Sequence, residues 1–130
     1  IEACTRRRAI LDGFCRNVFG KVDFLHLPVL GRPVPSIAEA ESMEDDPQAL
    51  MKLAHHTRIF NYLGLPSLSV PCGFDHQHIP VAHQLVGCPF AEGLIFRLGD
   101  AYQCSTSWHE THPRNADPSK DQGQSKSQAE

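Results

Sequence analysis

Residues 60–92, FNYLGLPSLSVPCGFDHQHIPVAHQLVGCPFAE, decide the fold of this chain. They contain two short, partly β-branched apolar runs, Ser67–Pro71 and Val81–Gly87, which are bounded by Gly, Pro and Asp residues. This composition favours buried strands over helix. The connection of about nine residues holds Gly73 and Asp75, and one so short allows an antiparallel hairpin but no parallel crossover. We therefore predict a β-hairpin with four buried side chains: Leu68, Val70, Leu85 and Val86.

The sequence before the hairpin predicts a helix, a strand and a loop. Apolar residues recur every three or four positions from Glu2 to Phe19, which indicates a helix ended by Gly20. Val22–Leu27 is almost continuously apolar, as in a strand covered on both faces, and Pro28 ends it. Residues 31–46 are rich in Pro and acidic side chains, which is typical of a surface loop.

Two more helices and a tail complete the prediction. Asp46 and Pro47 form a helix start, with Asp as the N-cap, and this helix is expected to run to about Leu63. Pro89 opens the last helix. Its predicted buried stripe is Phe90, Leu94, Leu98, Ala101 and Tyr102. Residues 114–130 are almost entirely polar, so we expect a disordered tail there.

The predicted element order is α-β-loop-α-β-β-α, which indicates the α/β class. A sheet of only three strands has open edges, and natural proteins pair or cover such edges. We therefore expect the strands to belong to a larger mixed β-sheet sandwiched by α-helices. The first Met is Met43, and Ile1 reads as mid-helix, so the chain is interpreted as a piece of a longer protein, here called the parent.

Charge and cysteine content restrict the class of protein. The formal net charge is -3, and the one basic run, Arg6-Arg7-Arg8, is typical of a solvated helix face. Nucleic acid is therefore not an expected partner. No apolar run approaches the roughly 20 residues of a membrane span, so no membrane partner is expected either. The odd cysteine count without C-x-x-C spacing favours reduced thiols in a cytoplasmic protein. The cysteines are Cys4, Cys15, Cys72, Cys88 and Cys104.

Eight His residues raise the question of a metal site. The candidate ligands are Cys72, His76, His78 and His83 around the hairpin, and His109 and His112 near the tail. Their spacing matches no closed zinc pattern. A nucleophilic pair of Cys72 and His83 is geometrically conceivable across the hairpin, but no orienting third group is identifiable. We assign no metal ligand, no cofactor and no catalytic residue to this chain.

Several motifs together resemble the C-terminal segment of the amidase signature family. T-R-x-F-N-Y-L-G-L-P-S-L-S-V-P-C-G-F begins at Thr57, and P-V-x-x-Q-L-V-G-x-P-F-A-E begins at Pro80. R-L-G-D-A-Y-Q from Arg97 and W-H-E-T-H-P from Trp108 continue the likeness, and V-D-F-L-H-L-P-V-L from Val22 is similar to an earlier strand. The resemblance implies that residues 1–113 form the C-terminal portion of an amidase domain.

The resemblance also implies an activity for the parent. Amidase signature enzymes cleave linear carbon-nitrogen amide bonds of small molecules with a Ser nucleophile, a bridging Ser and a Lys base. This chain has no Ser-Ser and no Gly-Gly dipeptide, so the catalytic segment is expected before Ile1 and the chain alone is expected to be inactive. One alternative is a non-catalytic remnant or scaffold, and open strand edges also allow homo-oligomers. A second alternative is the A subunit of an amidotransferase that supplies glutamine-derived ammonia to misacylated tRNA. The motifs at Thr57 and Trp108 are more similar to those of stand-alone amidases.

The resemblance points to four residues of a substrate-pocket wall. Thr57, Arg58 and Asn61 match the family's T-R-x-F-N, and Gln84 matches a Gln within an apolar strand. Hydrogen bonding at a helix end, with a surface Arg, is the alternative reading of the first three. A structural clamp is the alternative for Gln84.

The sequence departs from the family pattern at several positions, which bear on whether the parent is active. Ile59 replaces a usual Pro, His78 a usual Gly, Cys88 a usual Arg and Leu27 a usual Thr, while Ala82-His83 stands where Gly-Leu or Gly-Phe is usual. His78 conflicts with a turn that needs positive φ.

Overall fold

Three antiparallel strands form the centre of the computed structural model, which describes residues 2–43 and 45–111. Strand β1 spans Phe24–Pro28, β2 spans Ser67–Phe74 and β3 spans Pro80–Gly87, in the order β1-β3-β2. In the central strand, Leu85 lies opposite His26 on one side and Leu68 on the other. The predicted hairpin is confirmed, and both strand pairs that the structure describes are antiparallel.

Helices cover both faces of this sheet. The α-helices are α1 (Glu2–Phe14), α2 (Ile37–Met43), α3 (Pro47–Leu53), α4 (His55–Leu63) and α5 (Glu92–Cys104). A π-helical turn, Cys15–Phe19, continues α1, and a short 3-10 helix spans Trp108–Glu110. The predicted α/β class, with helices on both sides of a sheet, is confirmed.

The two faces carry separate hydrophobic clusters because successive strand side chains point in opposite directions. Val86 packs with Phe60, Leu63 and Leu65 on the side of α1 and α4. Its neighbour Leu85 packs on the α5 side with Val70 and Ile95. Leu68 is only partly buried, but it also packs against the second cluster. β1 contributes Phe24 to one cluster and Leu25 and Leu27 to the other, so the prediction of cover on both faces is correct.

The end of α4 is joined to α1. Gly64 adopts φ 71°, the left-handed conformation that favours glycine after a helix, and its N–H donates to the Phe60 carbonyl at 2.8 Å. Arg7 Nη2 donates to the Leu63 carbonyl at 3.1 Å. This contact satisfies a terminal carbonyl at the negative end of the helix dipole. All three arginines are exposed, as the solvated-face reading predicts, and Arg7 in addition joins α1 to the end of α4.

The predicted loop at residues 31–46 contains a helix. Ser36 caps α2, since its hydroxyl accepts from the Glu39 N–H at 3.3 Å while Glu39 Oε2 accepts from the Ser36 N–H at 2.7 Å. This is a capping box, and the S-x-x-E spacing signals it in the sequence. The Glu39 carboxylate accepts from both the backbone N–H and the hydroxyl of Ser36, and these two bonds lower the pKa of Glu39.

The long helix predicted from Pro47 to Leu63 is two helices. Asp46 does cap the first, since its Oδ1 accepts from the Gln48 N–H at 2.9 Å. The hydrogen-bond ladder restarts at Ala54, whose carbonyl accepts from the N–H groups of both Thr57 and Arg58. The restart orients α4 so that Phe60 and Leu63 meet the core.

The last helix begins at Glu92 rather than at Pro89. Pro89 and Phe90 are instead the central residues of a turn in which the Ala91 N–H donates to the Cys88 carbonyl at 3.0 Å. Phe90 has φ 65° and is 95% exposed, so its predicted place in the buried stripe is wrong. Ile95, which the prediction omitted, is the buried residue of this helix that joins the core.

The predicted polar tail, residues 114–130, lies outside the described residues. Across the described part of the chain, no helix is both long enough and apolar enough to cross a membrane.

Candidate functional site

An open groove of about 560 Å³ runs along the outer side of α4. Its lining residues are His55, Arg58, Ile59, Asn61 and Tyr62. They share one side of the helix because side chains three and four positions apart are neighbours. Phe60 and Leu63 lie on the other side and hold the helix to the core, so the groove has a fixed floor.

Two of the four predicted pocket residues, Arg58 and Asn61, lie together in this groove. Arg58 brings a permanent positive charge, and none of the lining residues that the structure describes is a carboxylate. The guanidinium and the amide are both hydrogen-bond donors, which suits a ligand with carbonyl or carboxylate oxygens. Thr57 is directed elsewhere: its hydroxyl donates to the Ala54 carbonyl at 3.2 Å and strengthens the first turn of α4.

The fourth predicted residue, Gln84, lies on the inner side of α4 and is only 3% exposed. Its Nε2 donates to the His56 carbonyl at 2.9 Å and to the Pro28 carbonyl at 3.2 Å, while its Oε1 accepts from the Ser67 hydroxyl at 3.2 Å. Both amide hydrogens are therefore engaged. Gln84 joins α4 to the ends of β1 and β2, and it sets the position of the helix that carries the groove.

A cluster of three rings in edge-to-face contact lies on the opposite face of the sheet. His83 is 7% exposed, and its ring meets the His26 ring at 4.5 Å and the Tyr102 ring at 4.7 Å, both edge to face. Burial, followed by the neighbouring His26, lowers the pKa of His83. Neutral His83 is thus favoured within the core. The sequence alone does not indicate this cluster of rings, because its members come from three elements.

The side chains of Cys72 and His83, which the sequence offered as candidate metal ligands and as a nucleophilic pair, have different partners in the structure. Cys72 is the extra residue of a β-bulge, between the pairs Pro71–Ala82 and Gly73–Val81, and its thiol donates to the Val81 carbonyl at 3.7 Å. His83 instead contacts His26 and Tyr102. Within residues 2–43 and 45–111, no three His, Cys, Asp or Glu side chains are grouped so that they hold a metal ion.

Known proteins share both the sequence and the fold of this chain. It is 36% identical over 106 residues to the A subunit of the glutamyl-tRNA(Gln) amidotransferase of Thermodesulfovibrio yellowstonii, covering 82% of this chain and 21% of that protein. The corresponding protein of Carboxydothermus hydrogenoformans is 36% identical over 114 residues, covering 88% of this chain and 22% of the relative. The chain thus spans about a fifth of the length of these curated relatives.

A solved structure of 6-aminohexanoate cyclic dimer hydrolase, complexed with substrate, matches 85% of this chain and 25% of its own, with a TM-score of 0.70 and 24% identity. At this identity, the likeness concerns the fold. The family model described as Amidase matches residues 1–96. The sheet, its covering helices and the motifs on α4 and β2 are therefore those of a known family, and the chain belongs to the amidase family.

Proposed function

We propose that this chain is the C-terminal portion of an amidase-type hydrolase that acts on linear carbon-nitrogen amide bonds of small molecules. Acyl transfer needs a nucleophile, an activated base and oxyanion donors held together. The chain lacks the Ser-Ser dipeptide of the family, so the parent supplies these groups from residues outside this chain. The parent is a cytoplasmic protein, as the cysteine pattern suggests.

The role of the chain in this proposal is to build one wall of the substrate pocket. The observation that carries it is the groove on α4, where Arg58 and Asn61 place two kinds of hydrogen-bond donor beside Tyr62. Thr57 and Gln84 act on this wall indirectly, since one stabilises the start of α4 and the other fixes the helix against β1 and β2. The donors then orient a substrate oxygen, and the chemistry takes place on groups of the parent.

A second candidate is the A subunit of a tRNA-dependent amidotransferase. The two relatives named above support it, since each is the A subunit of a glutamyl-tRNA(Gln) amidotransferase. In this case the parent works within a complex of several subunits. Hydrolysis of simple amides by the parent as a single polypeptide favours the stand-alone amidase. Ammonia release from glutamine that requires further subunits favours the amidotransferase.

The pocket wall is tested by kinetics of the parent with Arg58→Ala and Asn61→Ala. Loss of one donor to substrate should raise KM by about tenfold, the effect of a lost hydrogen bond that involves a charged group. Arg97→Ala is the matched control, because Arg97 is an exposed arginine on α5 that does not line the groove. Equal KM values for the Arg58 and Arg97 variants would show that Arg58 does not contact the substrate. A parent that hydrolyses no amide, either by itself or together with further subunits, would indicate a non-catalytic remnant.

A further inference from the structure

The outer edge of β1 carries main-chain hydrogen-bonding groups that point away from the sheet. Just after β1, the Val29 N–H donates to the Ala82 carbonyl at 3.2 Å. Residues of an antiparallel pair alternate between those that bond to the partner strand and those that point away from it. Counting back from Val29, the N–H and C=O groups of His26 and Phe24 point away from β3. In the part of the chain that the structure describes, no strand pairs with these groups.

The side chains of β1 are those of a strand inside a sheet. Phe24 packs on the α5 side, and Leu25 and Leu27 pack on the α4 side. Strands that are apolar on both faces are typical of the interior of a covered sheet. All three side chains are nevertheless only half-buried, whereas Leu85 and Val86 of β3 are 5% and 0% exposed. β1 thus has the composition of an interior strand but the burial of an edge strand.

The other outer strand, β2, is built differently. The Gly87 N–H donates to the Pro66 carbonyl at 3.0 Å, so the alternation directs the main-chain groups of Ser69 and Pro71 away from β3. Pro71 has no N–H to donate at its outward position, and the β-bulge at Cys72 follows it directly. Prolines and bulges of this kind prevent a further strand from pairing with the edge of a sheet.

We propose that the outer edge of β1 binds an extended strand of the parent that lies outside this chain, and that β2 is the terminal strand of the sheet. The inference rests on the proposal that the chain is a portion of a longer protein. The chain spans about a fifth of its curated relatives and 25% of the matched solved structure, so the larger part of such a parent is available to supply the strand.

The length of the edge favours a strand of the same polypeptide over a second copy of the chain. Pro28 is the next outward residue of β1 and has no N–H, so a partner strand pairs along Phe24–Leu27 only. Stable complexes of separate molecules usually bury about 1,200 Å² or more, which so short a pairing does not approach. A strand of the same polypeptide does not lose the translational freedom that a second molecule loses on binding.

The experiment is amide hydrogen exchange of the parent, read at single residues by mass spectrometry. The N–H groups of Phe24 and His26 should exchange about 100-fold or more slowly than those of Ser67 and Ser69, the outward groups of β2. Comparable exchange at the outward positions of both strands would overturn the proposal. Protection of β1 that is lost on dilution would assign its edge to a second copy instead. Protection lost on removal of residues 112–130 would assign the edge to that segment, and either loss would also overturn the proposal.

Two proline variants of the parent form a matched pair. His26→Pro and Ser69→Pro each remove one outward N–H and leave the bonds to β3 in place. His26→Pro should lower the melting temperature by about 5 °C or more relative to Ser69→Pro, because only the first change removes a bond to a further strand. A His26 variant that does not fold, beside a Ser69 variant that does, supports the proposal equally. Equal melting temperatures would contradict it. None of these readouts uses amide hydrolysis, so the pairing and the proposed function can fail independently.

Discussion

Gln84 is the residue whose role depends most on its surroundings. The sequence shows an amide within an apolar strand, and burial requires that such a group be hydrogen-bonded. The structure supplies partners on three elements, two of them backbone carbonyls. Its position 28 residues from His56 explains why sequence alone left two interpretations open.

Replacing Gln84 by Ala should lower the free energy of unfolding by about 1–3 kcal/mol, because the Pro28 and His56 carbonyls lose their donor. Urea unfolding followed by circular dichroism measures this change. Gln77→Ala is the control, since the Gln77 side chain is exposed in the hairpin turn. Equal effects of the two substitutions would show that the amide network does not stabilise the protein.

His83 makes stability depend on pH. Its pKa is lowered in the folded protein by burial and by His26, so the unfolded chain binds a proton more readily. The contribution of neutral His83 to the free energy of unfolding is complete above the unfolded pKa of about 6.5. It is lost as pH falls from there toward the lower pKa of the folded protein. The facing titratable groups are His26 on β1 and Tyr102 on α5.

His83→Phe should therefore flatten the decline of stability below neutral pH, as measured by thermal unfolding across that range. His76→Phe, at an exposed turn position, should leave the decline unchanged. An unaltered pH profile in the His83 variant would assign the decline to other groups.

The turn of the hairpin is held by hydrogen bonds to Asp75 and contains one residue with positive φ, His78. Asp75 Oδ1 accepts from the N–H groups of Gln77 at 2.8 Å and Ile79 at 2.9 Å, which lowers the pKa of Asp75. In the same turn, His78 adopts the left-handed conformation, with φ 59°. The sequence predicted this conflict at His78, because the family usually has Gly there and only glycine adopts positive φ freely.

His78→Gly should raise the free energy of unfolding by about 0.5–1 kcal/mol, since it removes the steric cost of the left-handed conformation. His76→Gly, two positions earlier, should give no gain, because His76 is not among the residues with positive φ. Chemical denaturation of the two variants checks this difference. A gain for both variants alike would mean that turn strain is not the cause.

Elements were predicted best where local and tertiary preferences agree. The hairpin combines apolar runs with a turn, and both signals select the same structure. Helix α2 was missed because proline and acidic content outweighed the Ser36–Glu39 capping signal. Phe90 was misplaced because Pro89 begins a turn instead of a helix. The groove on α4 was partly predicted, through Arg58 and Asn61, while Tyr62 and His55 join it only through the helix geometry.

At the scale of the whole molecule, the sheet ends in two edges. Among the described residues, no strand pairs with the outer side of β1 or of β2. Unpaired edges bind other strands, so the isolated chain should self-associate. Light scattering of purified residues 1–130 measures this. A stable monomer would favour the alternative of an independent scaffold.

The most direct test of the central claim is ammonia release from a panel of linear amides by residues 1–130, with the parent assayed alongside. The proposed function predicts release by the parent and none above the uncatalysed background by this chain, because it assigns the nucleophile, base and oxyanion donors to residues outside this chain. Reproducible turnover by the chain alone, abolished by Cys72→Ala or His83→Ala, would contradict the account and indicate a thiol enzyme.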